Sequence, residues 1–312
     1  MKEKFDASTL IFKIFVILIL TTYVLLVIGM LGWGFMTSLK SDLQFSMFEG
    51  GDPVGLPSWE LSKSEILFGN YGLAFKYFSV SANQAYYVGS TLIMHSTKAD
   101  IWVMLGNTLF YVGVSSVLPT FAAYTVAYLC STYKFKLSKI VYVCALIAMT
   151  IPIVSSQAAM ITLLRDIAIY DTPFTHVAQK FTFGGMYFFV FCAFFEGLNG
   201  AYSEAAEIDG ASQFRIYVSI IIPLGAKMIS SIALINFVTF WNDYQAPLLY
   251  TPTLPTIAYG VYHLVNESGN AQLKNTPAAC ACCMILALPI VFAFIFLKDK
   301  LMGNISMGGV KG

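Results

Sequence analysis

Uncharged, mostly apolar stretches separate the charged positions of the chain. Asp, Glu, Lys and Arg are missing from residues 14–39, 101–133, 140–164, 181–195, 228–242 and 275–297. A charged side chain at the centre of a membrane-spanning helix costs about 2.5 to 3.5 kcal/mol. Because about 20 apolar residues cross the hydrocarbon core, the pattern predicts six transmembrane helices. The fourth and fifth reach that length only if flanking residues such as Glu196 and Lys227 extend toward the interface.

The composition places the whole chain in the same class. Hydrophobic residues make up 57% and charged residues 11% of the sequence, whereas soluble domains have about 25% charged residues. We therefore expect an all-α membrane protein. The first apolar run is longer than the hydrophobic region of a secretion signal and lacks a clear small-x-small cleavage site, which favours a retained anchor.

Positive charge is distributed unequally over the two sides of the predicted membrane domain. Eleven of the 18 Lys and Arg residues flank the termini, the second-to-third connection and the fourth-to-fifth connection. The short loops on the other side contain Arg165, Lys180 and Lys274. Because basic residues concentrate on the cytoplasmic side, we expect both termini to be cytoplasmic in a bacterial inner membrane.

Three regions are expected. Residues 1–36 form a cytoplasmic stub and the first helix, residues 37–100 an external segment, and residues 101–312 a core of five helices with a cytoplasmic loop at 199–223. The external segment is too long for a simple connector. Its start, Gly50-Gly51-Asp52-Pro53, is rich in turn residues. In its second half we expect a short helix on the membrane surface over residues 86–97.

The cytoplasmic loop has the residue order of a helix, a bend and a second helix. Ser203 precedes Glu204-Ala205-Ala206-Glu207, which suits a short helix with a hydroxyl cap and early negative charge. Gly210 permits a backbone conformation that ends such a helix sharply. Pro223 suits the first turn of the next membrane helix, where its missing N–H does least harm.

This loop resembles the EAA loop of binding-protein-dependent ABC importers. The family pattern is E-A-A, three residues, G, nine residues, I, one residue, L-P. The matching residues are Glu204, Ala205, Ala206, Gly210, Ile220 and Pro223, with Ile222 in place of the usual Leu. With Asp209 and Ala211 also matching, the loop is similar to that of maltose-type sugar permeases in particular. The alternative is an Ala-rich loop that resembles the family by chance. Such a loop would have to match both the spacing of the motif residues and the location between two predicted spans.

Two shorter elements agree with the same family. Trp241-Asn242-Asp243-Tyr244 is similar to the family's W-N-[ED]-[FY] element, and Gly308-Gly309-Val310-Lys311-Gly312 to its G-A-V-K-G terminus. Each has a simpler explanation by itself, namely an aromatic residue at the membrane interface and a flexible glycine-rich tail. The long external segment fits the family pattern poorly.

The resemblance implies a six-helix bundle like that of type I ABC importer permeases and a transport subunit without catalytic residues, cofactor or metal. It also implies four partners: a second homologous permease in a heterodimer, a cytoplasmic ABC ATPase dimer, an extracellular solute-binding protein and a sugar. Transport would proceed by alternating access. The residues that would couple the permease to the ATPase are Glu204, Ala205, Ala206, Asp209, Gly210, Ala211 and Pro223.

Uncharged polar residues inside the predicted spans are candidates for the translocation path. Amides, hydroxyls and aromatic faces suit neutral, hydroxyl-rich sugars. The candidates are Asn107, Ser155, Gln157, Asn236, Trp241 and Asn242. For any single residue the alternative is a hydrogen bond between two helices of the bundle, which the sequence favours slightly.

Other chemistry finds little support. The chain has no G-x-x-x-x-G-K-[ST] motif, so the ATPase must be a separate chain. The histidines at 95, 176 and 263 lack metal-ligand spacing and are expected to be exposed, and Cys280-Ala281-Cys282-Cys283 favours helix packing. Basic clusters are too sparse for nucleic-acid binding.

Two alternatives stay open for the function: an ABC permease for a polyamine or a glycerol phosphate, and an ion-coupled secondary transporter or channel.

Overall fold

The computed structural model describes residues 7–45, 68–88, 91–133, 135–151, 156–198, 201–266 and 273–302. Within these ranges the chain is mostly helical and divides into two compact units. Unit 1 comprises residues 1–78 and 263–288, and unit 2 comprises residues 79–262 and 289–312. Ser155, one of the predicted path residues, and the glycine-rich terminus at 308–312 lie outside the described residues.

Unit 1 contains one long apolar helix whose end is capped by side chains. Its first three helices are α1 (Ala7–Ser38), α2 (Asp42–Phe45) and α3 (Gly69–Tyr77). The Asn70 amide donates to the carbonyl oxygens of Ser38 and Lys40, at 2.9 and 2.6 Å. The hydroxyls of Ser38 and Tyr71 are 2.8 Å apart. Helix α3 therefore satisfies carbonyl groups that the last turn of a helix leaves without partners.

Unit 2 begins with an antiparallel β-hairpin, β1 (Ser79–Val88) and β2 (Thr91–Asp100). The expectation of a surface helix over residues 86–97 is therefore wrong, and the described fold is not entirely helical. The sequence carries the reason: Gly89-Ser90 separates two runs rich in aromatic and β-branched residues, which is a hairpin signal. The hairpin leads directly into the first long helix of the unit, because the Asp100 carboxylate accepts hydrogen bonds from the Trp102 and Val103 amides.

The remaining elements follow in chain order. They are α4 (Ile101–Thr132), α5 (Lys136–Thr150), α6 (Ser156–Asp166), α7 (Pro173–Lys180), α8 (Met186–Glu196), α9 (Ala201–Ile208), α10 (Gln213–Ile216), a π-helical turn (Tyr217–Ile221), α11 (Ile222–Trp241), α12 (Gln245–Tyr250), α13 (Ile257–Asn266) and α14 (Thr276–Met302). Helices α13 and α14 each cross a boundary between the two units.

In the part of the chain that the structure describes, four helices are long and apolar enough to cross a membrane: Leu10–Ser38, Ile101–Thr132, Gln213–Trp241 and Thr276–Phe296. The third uncharged run is divided between α5 and α6, because Ile151 takes an extended conformation ahead of Pro152. The fourth run contributes only the 11 residues of α8, which follow Gly185 at φ +122°. A count of six spans stays a prediction.

Helix α4 is the centre of unit 2. It packs against α11, α8 and α7. The largest buried side chains at its C-terminal half are aromatic. Tyr124 and Tyr128 contact Phe191 and Phe195 of α8, at ring-centroid distances of 4.9 to 5.4 Å. This aromatic cluster lies beside the segment that carries the EAA residues.

Candidate functional site

The first helix of the EAA segment ends in a glycine-dependent cap. Helix α9 ends at Ile208, and Gly210 has φ +78°, a conformation that strongly favours glycine. The Gly210 amide donates to the Glu207 carbonyl at 3.0 Å, and the Ala211 amide donates to the Ala206 carbonyl at 2.9 Å. These two bonds form a Schellman motif, so the bend has a defined angle.

The start of α9 differs from the sequence-based expectation. We predicted Ser203 as the capping residue, but α9 is already helical from Ala201. Ser203 therefore lies inside the first turn. The prediction was wrong because a hydroxyl before acidic residues is only a local cap signal, and the helix extends further toward its N-terminus than that signal indicates.

The EAA residues divide between two faces of the segment. Ala206 and Ala211 pack against the aromatic cluster of unit 2. Glu204, Ala205 and Asp209 are exposed. The two most exposed large apolar side chains of the segment are Ile208 at 86% and Phe214 at 77%.

Helix α10 and the membrane helix after it form one continuous helical rod. The Ser212 hydroxyl accepts a hydrogen bond from the Arg215 amide and caps α10. Residues Gln213–Trp241 are then helical without interruption, and they include the π-helical turn. Pro223 lies in the first turn of α11, where its missing N–H is tolerated.

A chain of side-chain hydrogen bonds braces the bend. The Gln213 amide donates to the Glu207 carboxylate at 2.7 Å, and the Tyr133 hydroxyl donates to the Gln213 amide oxygen at 2.6 Å. Glu207 belongs to α9, Gln213 to α10, and Tyr133 follows the last residue of α4. We call residues 201–216, which comprise α9, the bend and α10, the coupling segment, after the role that the resemblance to EAA loops implies.

Comparison with known proteins identifies the family. Residues 120–302 match the model of the family described as the binding-protein-dependent transport system inner membrane component. The chain belongs to this family. It is a multi-pass inner-membrane permease subunit of an ABC importer.

Relatives of the permease carry names of sugar transporters. The arabinooligosaccharides transport system permease protein AraQ of Halalkalibacterium halodurans is 26% identical over 69% of this chain and 77% of its own length. The maltodextrin transport system permease protein MdxG of Bacillus subtilis is 28% identical over 75% of this chain and 89% of its own length. A solved bacterial ABC transporter involved in import of the acidic polysaccharide alginate has the same fold, with a TM-score of 0.71, 19% identity and coverage of 96% of this chain and 99% of its own.

The described candidates for the translocation path have different surroundings in the permease. The Asn236 amide donates to the Thr120 hydroxyl at 3.1 Å, which joins α11 to α4. The Asn107 amide donates to the Pro255 carbonyl at 3.1 Å, and Trp241 is buried. These three residues have structural contacts inside the unit. Of the described candidates, Gln157 and Asn242 are exposed, and the Asn242 amide donates to the Val238 carbonyl at 3.0 Å.

Sequence reasoning missed Asp243, the third residue of the W-N-D-Y element. One carboxylate oxygen accepts hydrogen bonds from the Gln245 and Ala246 amides, at 3.0 and 3.1 Å. The other accepts a hydrogen bond from the Tyr111 hydroxyl at 2.5 Å. Asp243 thus joins the end of α11 to the start of α12 and to α4. An Asp two residues before a short helix is a capping signal that the sequence contains.

His176 lies in a buried cluster, although we predicted an exposed histidine. It is 3% exposed, its ring is 4.6 Å from the Tyr111 ring, and its Nε2 is 3.1 Å from the Thr251 hydroxyl. The Lys180 ammonium lies 4.1 Å from the centre of the Phe240 ring. Burial lowers the pKa of His176, the nearby Lys180 adds to this shift and Asp243 opposes it, and the resulting pKa is about 4.

The first prediction concerns the pH dependence set by His176. An unfolded histidine has a pKa of about 6.5, so between pH 6.5 and 4 the unfolded chain binds a proton that the folded chain excludes. Folding stability should fall as the pH falls through this window, by at most about 3 kcal/mol. His176→Gln should flatten the profile of thermal unfolding measured in detergent from pH 7.5 to 4.5. A variant that keeps the wild-type slope contradicts this assignment.

Proposed function

We propose that the permease imports a sugar or oligosaccharide by alternating access, driven by a separate ABC ATPase dimer that binds the coupling segment. The observation that carries the proposal is an exposed helix-bend-helix that is braced internally and is continuous with α11. A rigid lever needs both properties, because a flexible loop would absorb the motion of the ATPase.

The exposed residues suit a protein groove. Ile208 and Phe214 present large apolar side chains, while Ala205 is small enough to permit close approach of a partner. Apolar and aromatic side chains that enter a pocket supply most of the energy of a typical interface. Glu204 and Asp209 add exposed carboxylates to the same segment. These carboxylates favour a partner with basic residues at the facing positions.

The rest of the assembly follows from the family. A second, homologous permease would complete the translocation path, and an extracellular solute-binding protein would deliver the solute. We place both termini and the coupling segment in the cytoplasm, because the basic residues concentrate on that side. Six spans would then require the runs at 140–164 and 181–195 to cross the bilayer as interrupted helices, which is tolerated where irregular backbone is buried in protein.

Two observations support a sugar as the solute, namely the names of the relatives and the polarity of exposed side chains. AraQ and MdxG are named for arabinooligosaccharides and maltodextrin. The exposed amides of Gln157 and Asn242 match the hydroxyl groups of such solutes. A coupling ion would instead need ionisable groups inside the spans, and the six runs lack Asp, Glu, Lys and Arg.

The second prediction concerns the bend. Gly210→Asp forces a side chain into a left-handed conformation, at a cost of about 1 to 2 kcal/mol, and adds charge to the proposed interface. We expect ATPase co-purification and uptake to be lost while membrane insertion persists. Gly210→Ala should have a weaker effect of the same kind. Gly106→Ala, at an open helical position, serves as the control and should leave association unchanged.

The third prediction concerns the exposed apolar anchors. Ile208→Ser and Phe214→Ser should each weaken binding of the co-purifying ATPase by about tenfold or more, because each removes an apolar contact of the interface. Binding is measured by titration of the purified permease with the ATPase. Ile167→Ser is the control, because Ile167 lies outside the coupling segment and its side chain is 52% exposed, so this variant should bind the ATPase normally. The proposed contact is contradicted if the Ile208→Ser and Phe214→Ser variants bind the ATPase as tightly as the Ile167→Ser variant does.

The fourth prediction concerns the solute. Cells that contain the complete transporter should take up at least one radiolabelled member of a panel of maltotriose, arabinotriose, raffinose and a uronate trisaccharide. Uptake should require ATP and resist an uncoupler that collapses ion gradients. Uptake of putrescine or glycerol 3-phosphate, with none of the saccharides, contradicts the sugar assignment but leaves the ABC mechanism intact.

A further inference from the structure

The π-helical turn Tyr217–Ile221 is the joint between the coupling segment and α11. Its main-chain bond runs from the Ile222 amide to the Tyr217 carbonyl, one residue further than in an α-helix. Such turns are rare, and they recur at functional sites. If this π-helical turn became regular α-helix, the hydrogen-bond register would shift. The residues beyond the turn would then rotate about the helix axis by about 100° for each residue of shift. A lever that includes this turn therefore needs a contact that fixes it.

Two adjacent residues of α4 hold the two ends of the turn. The Thr125 hydroxyl is 2.6 Å from the hydroxyl of Tyr217, the first residue of the turn. The Tyr124 hydroxyl donates to the carbonyl of Ile221, the last residue, at 2.6 Å. Tyr124 is 0% exposed, so its bond has no competition from water. The π-helical turn is thus attached to α4 at both ends.

The Tyr124 ring reaches this position because residue 225 is glycine. A β-carbon on Gly225 would lie 2.2 Å from the Tyr124 hydroxyl oxygen and 2.6 Å from two ring carbons. The ring therefore lies against the bare backbone of α11. Glycine inside a helix costs about 1 kcal/mol relative to alanine, and here the close packing of the tyrosine offsets that cost. On its other side the ring contacts Phe191 and Phe195 of α8.

We propose that Tyr124 is a positioning residue that fixes the π-helical turn to α4, so that displacement of the coupling segment moves α4 and α11 together. This inference rests on the proposed function of the coupling segment. Without the hydroxyl of Tyr124, the Tyr217–Thr125 hydrogen bond is the one that remains between the turn and α4 among the described residues. More of the motion of α9 and α10 would then be absorbed in the turn, and α4 would follow it less closely.

Tyr124→Phe tests the proposal with minimal disturbance, because it keeps the ring and removes only the hydroxyl. Tyr142→Phe makes the same chemical change on α5, at a hydroxyl without a hydrogen bond to the described residues. The full-length permease is purified with its co-purifying partners. Hydrogen exchange of residues 123–132 and 201–216 is then compared with and without ATP and vanadate.

In the wild type and in Tyr142→Phe, nucleotide should change the exchange of both regions. In Tyr124→Phe the change in residues 201–216 should persist, while that in residues 123–132 should fall about two- to tenfold, as expected for loss of one hydrogen bond. An unchanged response of residues 123–132 in Tyr124→Phe, or no response of these residues in the wild type, overturns the role of Tyr124 and leaves the proposed function standing. Absence of a co-purifying ATPase, or no response of residues 201–216, overturns the proposed function itself.

Gly225→Ala gives an independent measurement. The added methyl group should displace the Tyr124 ring and reduce the response of residues 123–132 at least as much as Tyr124→Phe does. Gly225→Ala combined with Tyr124→Leu removes the steric conflict, so the double variant should regain thermal stability without regaining the nucleotide response. Recovery of the full response in the double variant contradicts the role of the hydroxyl.

Discussion

Hydrocarbon offers no hydrogen-bond partners to the backbone, and this constraint governs the permease. Regular helices meet it by themselves, because their interior main-chain groups pair within the helix. Every departure from a regular helix needs a partner from elsewhere in the protein. At the π-helical turn a buried tyrosine contacts the Ile221 carbonyl, and at the loop before α13 the Thr108 hydroxyl accepts a hydrogen bond from the Ile257 amide. The irregular positions are therefore the positions where helices are joined most specifically.

The two ends of α4 are joined to the rest of unit 2 by different chemistry. Near Tyr111 the contacts are polar and include a carboxylate, an imidazole and an ammonium group, which fix α7, α11 and α12 around α4. Near Tyr124 the contacts are mostly aromatic, and Ala206 and Ala211 of the coupling segment pack against them. This second end includes the two hydrogen bonds that attach the π-helical turn to α4, so it is the end through which the proposed motion would reach α4.

Sequence reasoning succeeded where the signal was local or compositional. The absence of charge over long stretches predicted a membrane protein, and the EAA spacing predicted the family that residues 120–302 confirm. Gly210 was expected to end a helix, and its positive φ agrees with that expectation. Reasoning failed where a local signal was overlooked or was weak. Gly89-Ser90 indicated a hairpin, not the surface helix we expected, and Ser203 did not mark the start of α9. The coupling role of the EAA residues stays a proposal.

By itself, the sequence determined the environment of the chain, its membership of a family and the bend at Gly210. Each of these depends on which residues are present and how they are spaced. Only the tertiary structure decided that Asn236 bonds to Thr120, that His176 is buried and that Tyr124 lies against Gly225. Asn236 and Thr120 are 116 positions apart, His176 and the Tyr111 ring that it contacts are 65 apart, and Tyr124 and Gly225 are 101 apart. Such contacts depend on how the helices pack, and helix packing is set by side-chain shape over the whole interface, which a pattern of apolar and polar positions does not encode.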